Sequence, residues 1–256
     1  MGEFEHIRVE TAGGVTRITL ARPPLNVLNI AMMREMNVAI ERAAEDAEAR
    51  ALAFFGEGKA FSAGVDVGEH TGGTAVEMIE VFHGLFRGLL AFERPTVASV
   101  GGACLGGGCE LATFCDVVIA SERAKFGQPE VQVGVLPPVA AAWWPLMPGG
   151  RAALELMMNG RIIDAREAKE AGLVSRVVPA ESLQEETEKV LTGFSKSSAT
   201  VLRHLKRAAM IDLRRRFETA LAGIETLYLN ELMKTHDANE GLAAFLEKRA
   251  PEWKHS

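Results

Sequence analysis

Short alternating segments and longer helical segments follow one another along the first half of the chain. Apolar and polar residues alternate over residues 7–9 and 16–20, with Gly13-Gly14 between them, which predicts two strands joined by a turn. Apolar residues recur at helical spacing over residues 30–49 and again over 75–92. The chain therefore opens with a hairpin that is followed by alternating strands and helices.

The order of strand, turn and helix then repeats. Residues 51–55 and 96–100 have the composition of buried strands, a glycine loop precedes a helix at 107–114, and another strand is predicted at 116–120. Such alternation is typical of parallel strands joined by right-handed crossovers. We predict an α/β fold.

The last third of the chain reads as helical. The helices that we predict after Pro137-Pro138 cover residues 150–158, 164–171, 181–194, 198–211, 214–232 and 237–249. Asp164 with Glu167, and Asp237 with Glu240, have the spacing of reciprocal N-terminal caps, and Gly172 fits a helix end. A soft boundary near residues 196–198 divides the chain into residues 1–196 and a helical segment, 197–256.

Apolar residues of this helical segment outnumber what a small pair of helices can bury. They are Phe217, Leu221, Ile224, Leu227, Tyr228, Leu242, Phe245 and Leu246. We expect them to cover the core or a neighbouring subunit, and we therefore predict an oligomer.

Composition limits the classes of function. With 256 residues and 27.6 kDa, the chain is long enough for one main domain. The formal net charge of −6 offers no broad basic surface for nucleic acid. We see no signal peptide and no apolar run long enough to span a membrane, so we predict a cytoplasmic protein without membrane partners.

Cysteines and histidines give no sign of a metal site. Cys104, Cys109 and Cys115 form no CxxC pair, and we expect small buried thiols, with a nucleophilic Cys109 at a helix start as the alternative. The six histidines show neither HExxH spacing nor a GxSxG elbow, and His70 is expected at the surface. We predict no metal.

Two glutamates at the ends of small-residue motifs are the candidate chemistry. Glu110 ends the run GGGCE at 106–110, and Glu130 ends FGQPE at 126–130. A third turn, FSAGVD at 61–66, could direct backbone N–H groups at a developing negative charge. Taken singly, each glutamate is more often solvated or capping, and a glycine triplet is more often close packing; together they suggest acid/base chemistry.

These motifs resemble the crotonase, or enoyl-CoA hydratase, superfamily over nearly the whole chain. The matching segments, in order, are residues 59–66, 106–112, 115–116, 124–130, 134 and 245–249. The resemblance implies a spiral of strand-strand-helix units as catalytic core, with the C-terminal helical segment covering the site and forming a homotrimer or homohexamer. It also implies no cofactor, since coenzyme A belongs to an acyl-CoA substrate.

Within the family, two backbone N–H groups hold the thioester oxygen, and the matching positions are Val65 and Gly107. Glutamates at the positions of Glu110 and Glu130 hold a water between them, and which of them is acid and which is base stays open. Ala63 and Asp66, at this oxyanion turn, and Pro138 are also expected to contact the substrate.

One segment departs from the family pattern. Straight-chain hydratases have a PGxGG stretch whose glycine N–H helps to seat the water, whereas this chain has LPPVAA at 136–141, and Pro138 has no N–H. The water must be held differently, or the proton delivered to another carbon. Phe82, Phe86 and Trp143 could wall a pocket for a flat cyclic acyl group, or could simply be core aromatics.

Family members bind coenzyme A with a lysine of the first unit and with a phenylalanine and lysine from a neighbouring subunit. Phe245 and Lys248 match the latter pair, although Lys248 could equally be a solvated helix charge. Leu25 stands near the place of the usual lysine, and Arg22 is the expected substitute.

The Pro-Pro segment, residues 132–135 and the tail at 229–233 and 240–242 look most like cyclohexa-1,5-diene-1-carbonyl-CoA hydratases of anaerobic benzoyl-CoA degradation. The resemblance implies hydration of that thioester to 6-hydroxycyclohex-1-ene-1-carbonyl-CoA. The alternatives are an acyclic 2-enoyl-CoA hydratase of fatty-acid β-oxidation and, in another class, a non-catalytic acyl-CoA-binding or RNA-associated scaffold.

Overall fold

A computed structural model describes residues 4–256 of the chain. Its strands are β1 (Ile7–Ala12), β2 (Val15–Leu20), β3 (Ala51–Gly56), β4 (Ala60–Ser62), β5 (Thr96–Val100), β6 (Ala103–Leu105), β7 (Val117–Ser121), β8 (Lys125–Gly127), β9 (Ile162–Asp164) and β10 (Arg176–Val178).

The α-helices are α1 (Ile30–Glu45), α2 (Ala75–Ala91), α3 (Gly107–Phe114), α4 (Pro138–Trp143), α5 (Gly150–Asn159), α6 (Ala165–Glu170), α7 (Leu183–Ser195), α8 (Ala199–Asn230) and α9 (His236–Glu247). Short 3₁₀ helices cover Val67–His70, Gly72–Thr74, Pro129–Val133, Trp144–Leu146, Ala180–Ser182 and Leu232–Lys234. Within residues 4–256, no helix is long and apolar enough to cross a bilayer.

Two sheets are built by repetition of one unit. The larger has the order β1-β2-β3-β5-β7-β10, and the smaller has the order β4-β6-β8-β9. Strands β2, β3, β5, β7 and β10 run parallel, as do β4, β6 and β8, whereas β1 and β9 are antiparallel edge strands. Each strand-strand-helix turn thus adds one strand to each sheet, which confirms the predicted hairpin and the mainly parallel α/β fold.

This repetition brings the turns that follow the small sheet to one end of the molecule. Strand β4 pairs with β6, and β6 pairs with β8, in parallel register. Because parallel neighbours end at the same edge of a sheet, the segments after β4, β6 and β8 are brought together. Those segments contain the three motifs of the candidate site.

The C-terminal segment differs from the prediction of two helices over 198–211 and 214–232. Residues 199–230 form the single helix α8, which begins at the cap Ser198, whose side chain accepts from the Val201 N–H. No glycine or proline lies near residues 211–214, so nothing in the backbone interrupts the helix.

Of the two predicted reciprocal capping pairs, Asp237 with Glu240 is wrong, and Asp164 with Glu167 is half correct, because the Glu167 carboxylate pairs with Arg161 instead. Asp164 does cap α6, accepting from the N–H groups of Arg166 and Glu167. The cap of α9 is instead Thr235, and Asp237 accepts hydrogen bonds from the N–H groups of Lys254 and His255. The C-terminal residues fold back against α9, and their N–H groups bind the Asp237 carboxylate, which lies 17 and 18 residues earlier in the sequence.

Gly172 follows α6 with a left-handed φ of +81°, in agreement with its prediction as a helix end. The carbonyl of Lys169 accepts from its N–H.

Apolar residues of the C-terminal segment join the main core. Phe217, Leu221, Tyr228 and Leu242 are at most 1% exposed and belong to the same cluster as the side chains of α1, α2 and the sheets. Leu227, Phe245 and Leu246 stay exposed. Residues on both sides of position 196 thus share one hydrophobic core. The division of the chain into two segments near this position stays a prediction.

Phe217 gives a test of how much α8 contributes to stability. Its ring is fully buried and packs against those of Phe114 and Trp143, at centroid distances of 5.0 and 5.7 Å. Phe217→Ala should lower the free energy of unfolding by about 3–5 kcal/mol, because it leaves a cavity in the core. Val76→Ala, at a position 60% exposed, should change it by less than about 0.5 kcal/mol. Equal denaturant midpoints for the two variants would contradict this packing.

Candidate active site

A cavity of about 460 Å³ lies where the three motifs meet, within the size range of ligand pockets. Helices α2, α3, α4, α8 and α9 and the segments after β4, β6 and β8 all contribute to its wall. The lining residues are Ala63, Gly64, Val65, Val67, His70, Met78, Ile79, Phe82, Leu105, Gly106, Gly107, Glu110, Pro129, Glu130, Gln132, Val133, Val135, Leu136, Pro138, Ile162, Tyr228, Leu242 and Phe245. The wall is thus apolar except for a few polar groups.

Two residues that line this cavity have backbone N–H groups without hydrogen-bond partners among residues 4–256. The turn at 63–66 is held by Leu28, whose N–H donates to the Gly64 carbonyl and whose carbonyl accepts from the Asp66 N–H. Within the described chain, the Val65 N–H between them makes no hydrogen bond. Gly107 is the first residue of α3, so its N–H has no helical acceptor.

The two turns approach so closely that glycine is required. A Cβ atom on Gly107 would lie 2.6 Å from Val65 Cγ2 and 3.0 Å from Phe82 Cζ. Gly106 has a φ of +50°, and a Cβ there would lie 2.7 Å from Glu130 Oε1. The glycine triplet therefore allows the two N–H groups and the glutamate to share one small space.

Glu110 extends from the first turn of α3 and is only 2% exposed. The Ala140 N–H, in the first turn of α4, donates to its Oε1 at 2.7 Å. Burial raises the pKa of Glu110 to about 7, and the N–H groups of Ala140 and Val139 oppose that rise by stabilising the ionised form.

Glu130 lies in the 3₁₀ helix that follows β8, and it is partly exposed in the cavity wall. Burial raises its pKa well above the ordinary value of 4.5, and the charge of Glu110 raises it further. The buried Gln128 side chain, with its amide nitrogen turned toward the carboxylate, donates to both Glu130 oxygens at 3.1 Å and to the Gly106 carbonyl at 3.3 Å.

The carboxyl groups of Glu110 and Glu130 thus form a coupled pair in one apolar cavity. Each disfavours ionisation of the other, so the pair keeps a proton at pH values where exposed carboxyl groups have lost theirs. One ionised and one protonated carboxyl group can accept a proton from a water and return one to a carbon. Both glutamates that end the motifs thus line the same cavity, and their roles in catalysis stay a prediction.

A family model described as enoyl-CoA hydratase/isomerase matches residues 10–256. The chain belongs to this family. Among its relatives, a probable enoyl-CoA hydratase of Mycobacterium tuberculosis is 42% identical over 98% of this chain and 99% of its own length. A cyclohexa-1,5-dienecarbonyl-CoA hydratase of Thauera aromatica is 37% identical over 96% of this chain and 95% of its own length.

The same architecture is known from solved structures. The crystal structure of an enoyl-CoA hydratase from Mycobacterium avium subsp. paratuberculosis has a TM-score of 0.88 and 30% identity, covering 98% of this chain and 99% of the other. The expected crotonase-like fold is therefore confirmed.

The aromatic wall that we expected in this member of the enoyl-CoA hydratase/isomerase family is only partly correct. Phe82 lines the cavity, but Phe86 and Trp143 do not. Their rings continue inward from Phe82 in a row of edge-to-face and tilted contacts that includes Phe114, with successive centroids 5.0, 5.1 and 4.7 Å apart. Phe86 packs against Phe82 on the side away from the cavity, and Trp143 packs against Phe217 of α8 in the core.

Of the other expected substrate contacts, Ala63 and Pro138 line the cavity, and Asp66 does not. The Asp66 side chain caps the 3₁₀ helix Val67–His70 by accepting from the Gly68 N–H. His70, expected at the surface, lines the cavity instead: its Nδ1–H donates to the Asp66 carbonyl at 3.0 Å, and burial lowers its pKa.

The expected coenzyme A residues lie near the cavity mouth or at the surface. Phe245 is 53% exposed and lines the cavity of its own chain, whereas the resemblance implied a neighbouring subunit. Lys248 is exposed at the end of α9, and Leu25 is 48% exposed. Arg22 donates to the Val27 carbonyl at 2.9 Å. Their contact with coenzyme A stays a prediction.

Three features of the site were absent from the sequence prediction. Gln128 lies within the motif FGQPE, and Ala140 lies within the segment LPPVAA. Tyr228 belongs to the apolar residues of the C-terminal segment, and the sequence indicates no role in the site for any of the three. Only the GQPE context of Gln128 carried a signal in the sequence. The Ala140 N–H binds Glu110, and Tyr228 lines the cavity, because α4 and α8 pack beside the site.

The pKa of Glu110 has a consequence for stability that can be measured. Because the folded protein keeps a proton that the unfolded chain releases near 4.5, this group stabilises the fold fully below that pH and loses its contribution as pH rises through about 7. Glu110→Gln cannot ionise and retains an acceptor for the Ala140 N–H. It should therefore exceed wild type in free energy of unfolding by about 1–3 kcal/mol at about pH 8, and by much less at about pH 5.

Denaturant titrations across this pH range test the expectation. The matched control is Glu122→Gln, at an exposed glutamate, which should give a difference from wild type that does not change with pH. If the difference in free energy of unfolding between Glu110→Gln and wild type stays constant with pH, the pKa of the Glu110 carboxyl group is not raised.

Proposed function

We propose that this protein is a hydro-lyase that adds water reversibly to the double bond of an unsaturated acyl-CoA thioester. The observation that carries the proposal is the coupled pair Glu110 and Glu130 in one apolar cavity, beside the unpaired N–H groups of Val65 and Gly107. Family membership supports the same activity, since the relatives described above are named as hydratases.

The reaction uses each of these groups. The thioester oxygen accepts hydrogen bonds from the Val65 and Gly107 N–H groups, which stabilise the negative charge that develops there. The ionised carboxyl group of the pair takes a proton from water, whose oxygen bonds to the carbon β to the thioester. The electron pair of the double bond moves toward the thioester carbon and forms an enolate, and the protonated carboxyl group of the pair supplies a proton to carbon.

For the acyl group, we propose a cyclic conjugated dienoyl thioester, cyclohexa-1,5-diene-1-carbonyl-CoA. Phe82 and Pro138 give the cavity rigid walls suited to a flat ring. The relative from Thauera aromatica, 37% identical, is named for this type of substrate and supports the proposal. The hydroxyl group is added at the β carbon and the proton at the far end of the diene.

A second candidate is hydration of an acyclic 2-enoyl-CoA. It is favoured by the 42% identical relative from Mycobacterium tuberculosis, which is named a probable enoyl-CoA hydratase. A non-catalytic acyl-CoA-binding or RNA-associated scaffold fits less well, because two buried acids in an apolar cavity are unfavourable for stability and give a scaffold no benefit.

We also propose that the protein works as a homotrimer or homohexamer, with no cofactor beyond the coenzyme A of its substrate. Exposed apolar side chains on one long helix support self-association: Val201, Leu205 and Ile211 of α8 are 64%, 62% and 74% exposed. The reaction itself needs only carboxyl groups, backbone N–H groups and water.

Replacement of one acid tests the mechanism. Glu130→Gln keeps the shape of the side chain but cannot exchange a proton, so kcat for hydration should fall by about two to four powers of ten. The Kd of the saturated analogue butyryl-CoA, measured by calorimetry, should change by less than about threefold. Glu122→Gln should match wild type in both measurements. An unaltered kcat in Glu130→Gln would remove this residue from the mechanism.

Turnover of two thioesters separates the two acyl groups. With crotonyl-CoA and cyclohexa-1,5-diene-1-carbonyl-CoA under identical conditions, we expect kcat/KM to be higher for the cyclic thioester by about tenfold or more. A preference for crotonyl-CoA would contradict the cyclic substrate and leave the hydratase intact.

A further inference from the structure

The water that is added needs one more hydrogen-bond donor than the two glutamates provide. Its two hydrogens are directed outward as donors, and one of its oxygen lone pairs must point at the carbon that is attacked. The protonated carboxyl group has to deliver its proton to carbon, so it cannot remain bonded to the water oxygen. The second lone pair of the water therefore requires a donor from elsewhere in the cavity.

Helix α4 has no donor left for this task. Pro138, its first residue, has no N–H. The N–H groups of Val139 and Ala140 are directed to Glu110, and the Ala141 N–H donates to the Pro137 carbonyl at 2.9 Å. The first turn of α4 is thus occupied in holding Glu110.

Tyr228 is a free donor in the same cavity. It is the single tyrosine of the chain, it is 1% exposed, and it lines the cavity from α8. Its hydroxyl group has no hydrogen-bond partner within residues 4–256. Among the described residues that line the cavity, it is the one with a side-chain hydroxyl group. Buried hydroxyl groups are nearly always paired, so an unpaired one at a ligand cavity points to a ligand partner.

Tyr228 lines the same cavity as Glu110 and Glu130. Burial raises its pKa, and the charges of Glu130 and then of Glu110 raise it further, which places the phenol within electrostatic reach of both carboxyl groups. The phenol therefore remains protonated throughout the physiological range and acts as a donor.

We propose that the Tyr228 hydroxyl binds the oxygen that is added to the substrate, as the donor to the water before addition and to the new hydroxyl group afterwards. This inference rests on the proposed hydratase function and names a further residue of that site. The phenol keeps its own proton throughout. The O–H bond that breaks belongs to the water, and the C–O bond that forms joins the same oxygen to the β carbon.

Tyr228→Phe removes only this hydroxyl group. Because the group has no protein partner, the variant should keep the thermal unfolding midpoint of the ligand-free protein, while kcat falls by about tenfold to a hundredfold. The matched control is Thr226→Val, which removes an exposed hydroxyl group two residues away on the same helix and should leave kcat unchanged. A wild-type kcat in Tyr228→Phe overturns the proposal, and so does a lowered midpoint that accounts for the lost activity.

A binding measurement separates this inference from the proposed function. Calorimetry with 3-hydroxybutyryl-CoA and butyryl-CoA compares ligands that differ by the relevant hydroxyl group. Wild type should bind the hydroxylated thioester about 2- to 10-fold more tightly, whereas Tyr228→Phe should bind the two equally. If wild type hydrates neither crotonyl-CoA nor the cyclic dienoyl-CoA, the proposed function fails. Loss of the preference in Tyr228→Phe would still support the hydroxyl contact, and an unchanged preference would overturn it.

Discussion

Burial of two carboxyl groups in one apolar cavity is the constraint on which the site depends. Desolvation and mutual repulsion both oppose ionisation, and without compensation neither group would serve as a base near neutral pH. The compensation comes from backbone and amide donors: the Ala140 N–H on Glu110, and the Gln128 side chain on Glu130. The start of α4 thus holds a carboxylate that belongs to another helix, and a proline at its first position takes no donor away from that contact.

The spiral fold meets this constraint by bringing three successive turns to one edge of the small sheet. Glycine at positions 106 and 107 then permits contacts that a Cβ atom would block, because Glu130 and Val65 occupy that space. As a consequence, the N–H groups that can hold an oxyanion and the carboxyl groups that can move protons lie in a single cavity. Catalysis of this type needs little beyond preorganised backbone dipoles and a pair of acids whose pKa values are raised.

Helix α8 closes the same cavity from the side that the spiral leaves open. Its buried residues Phe217 and Leu221 join the main core, and Tyr228, on the same face about three turns beyond Phe217, lines the cavity. Aromatic packing behind Phe82 connects this helix to the cavity wall through Phe114. The C-terminal segment is therefore part of the site as well as a cover over it.

The linear order of residues was enough to predict the fold class, the hairpin and the three motifs that line the cavity, because these depend on local periodicity and on motifs in which neighbouring residues act together. The cap of α9 and the positions of Phe86, Trp143 and His70 were decided only by tertiary packing, since burial depends on which elements lie beside a side chain. The same holds for the Ala140 and Tyr228 donors. Ala140 and Glu110 are 30 residues apart in sequence, and Tyr228 lies further still from both glutamates, so only the folded chain brings these residues together.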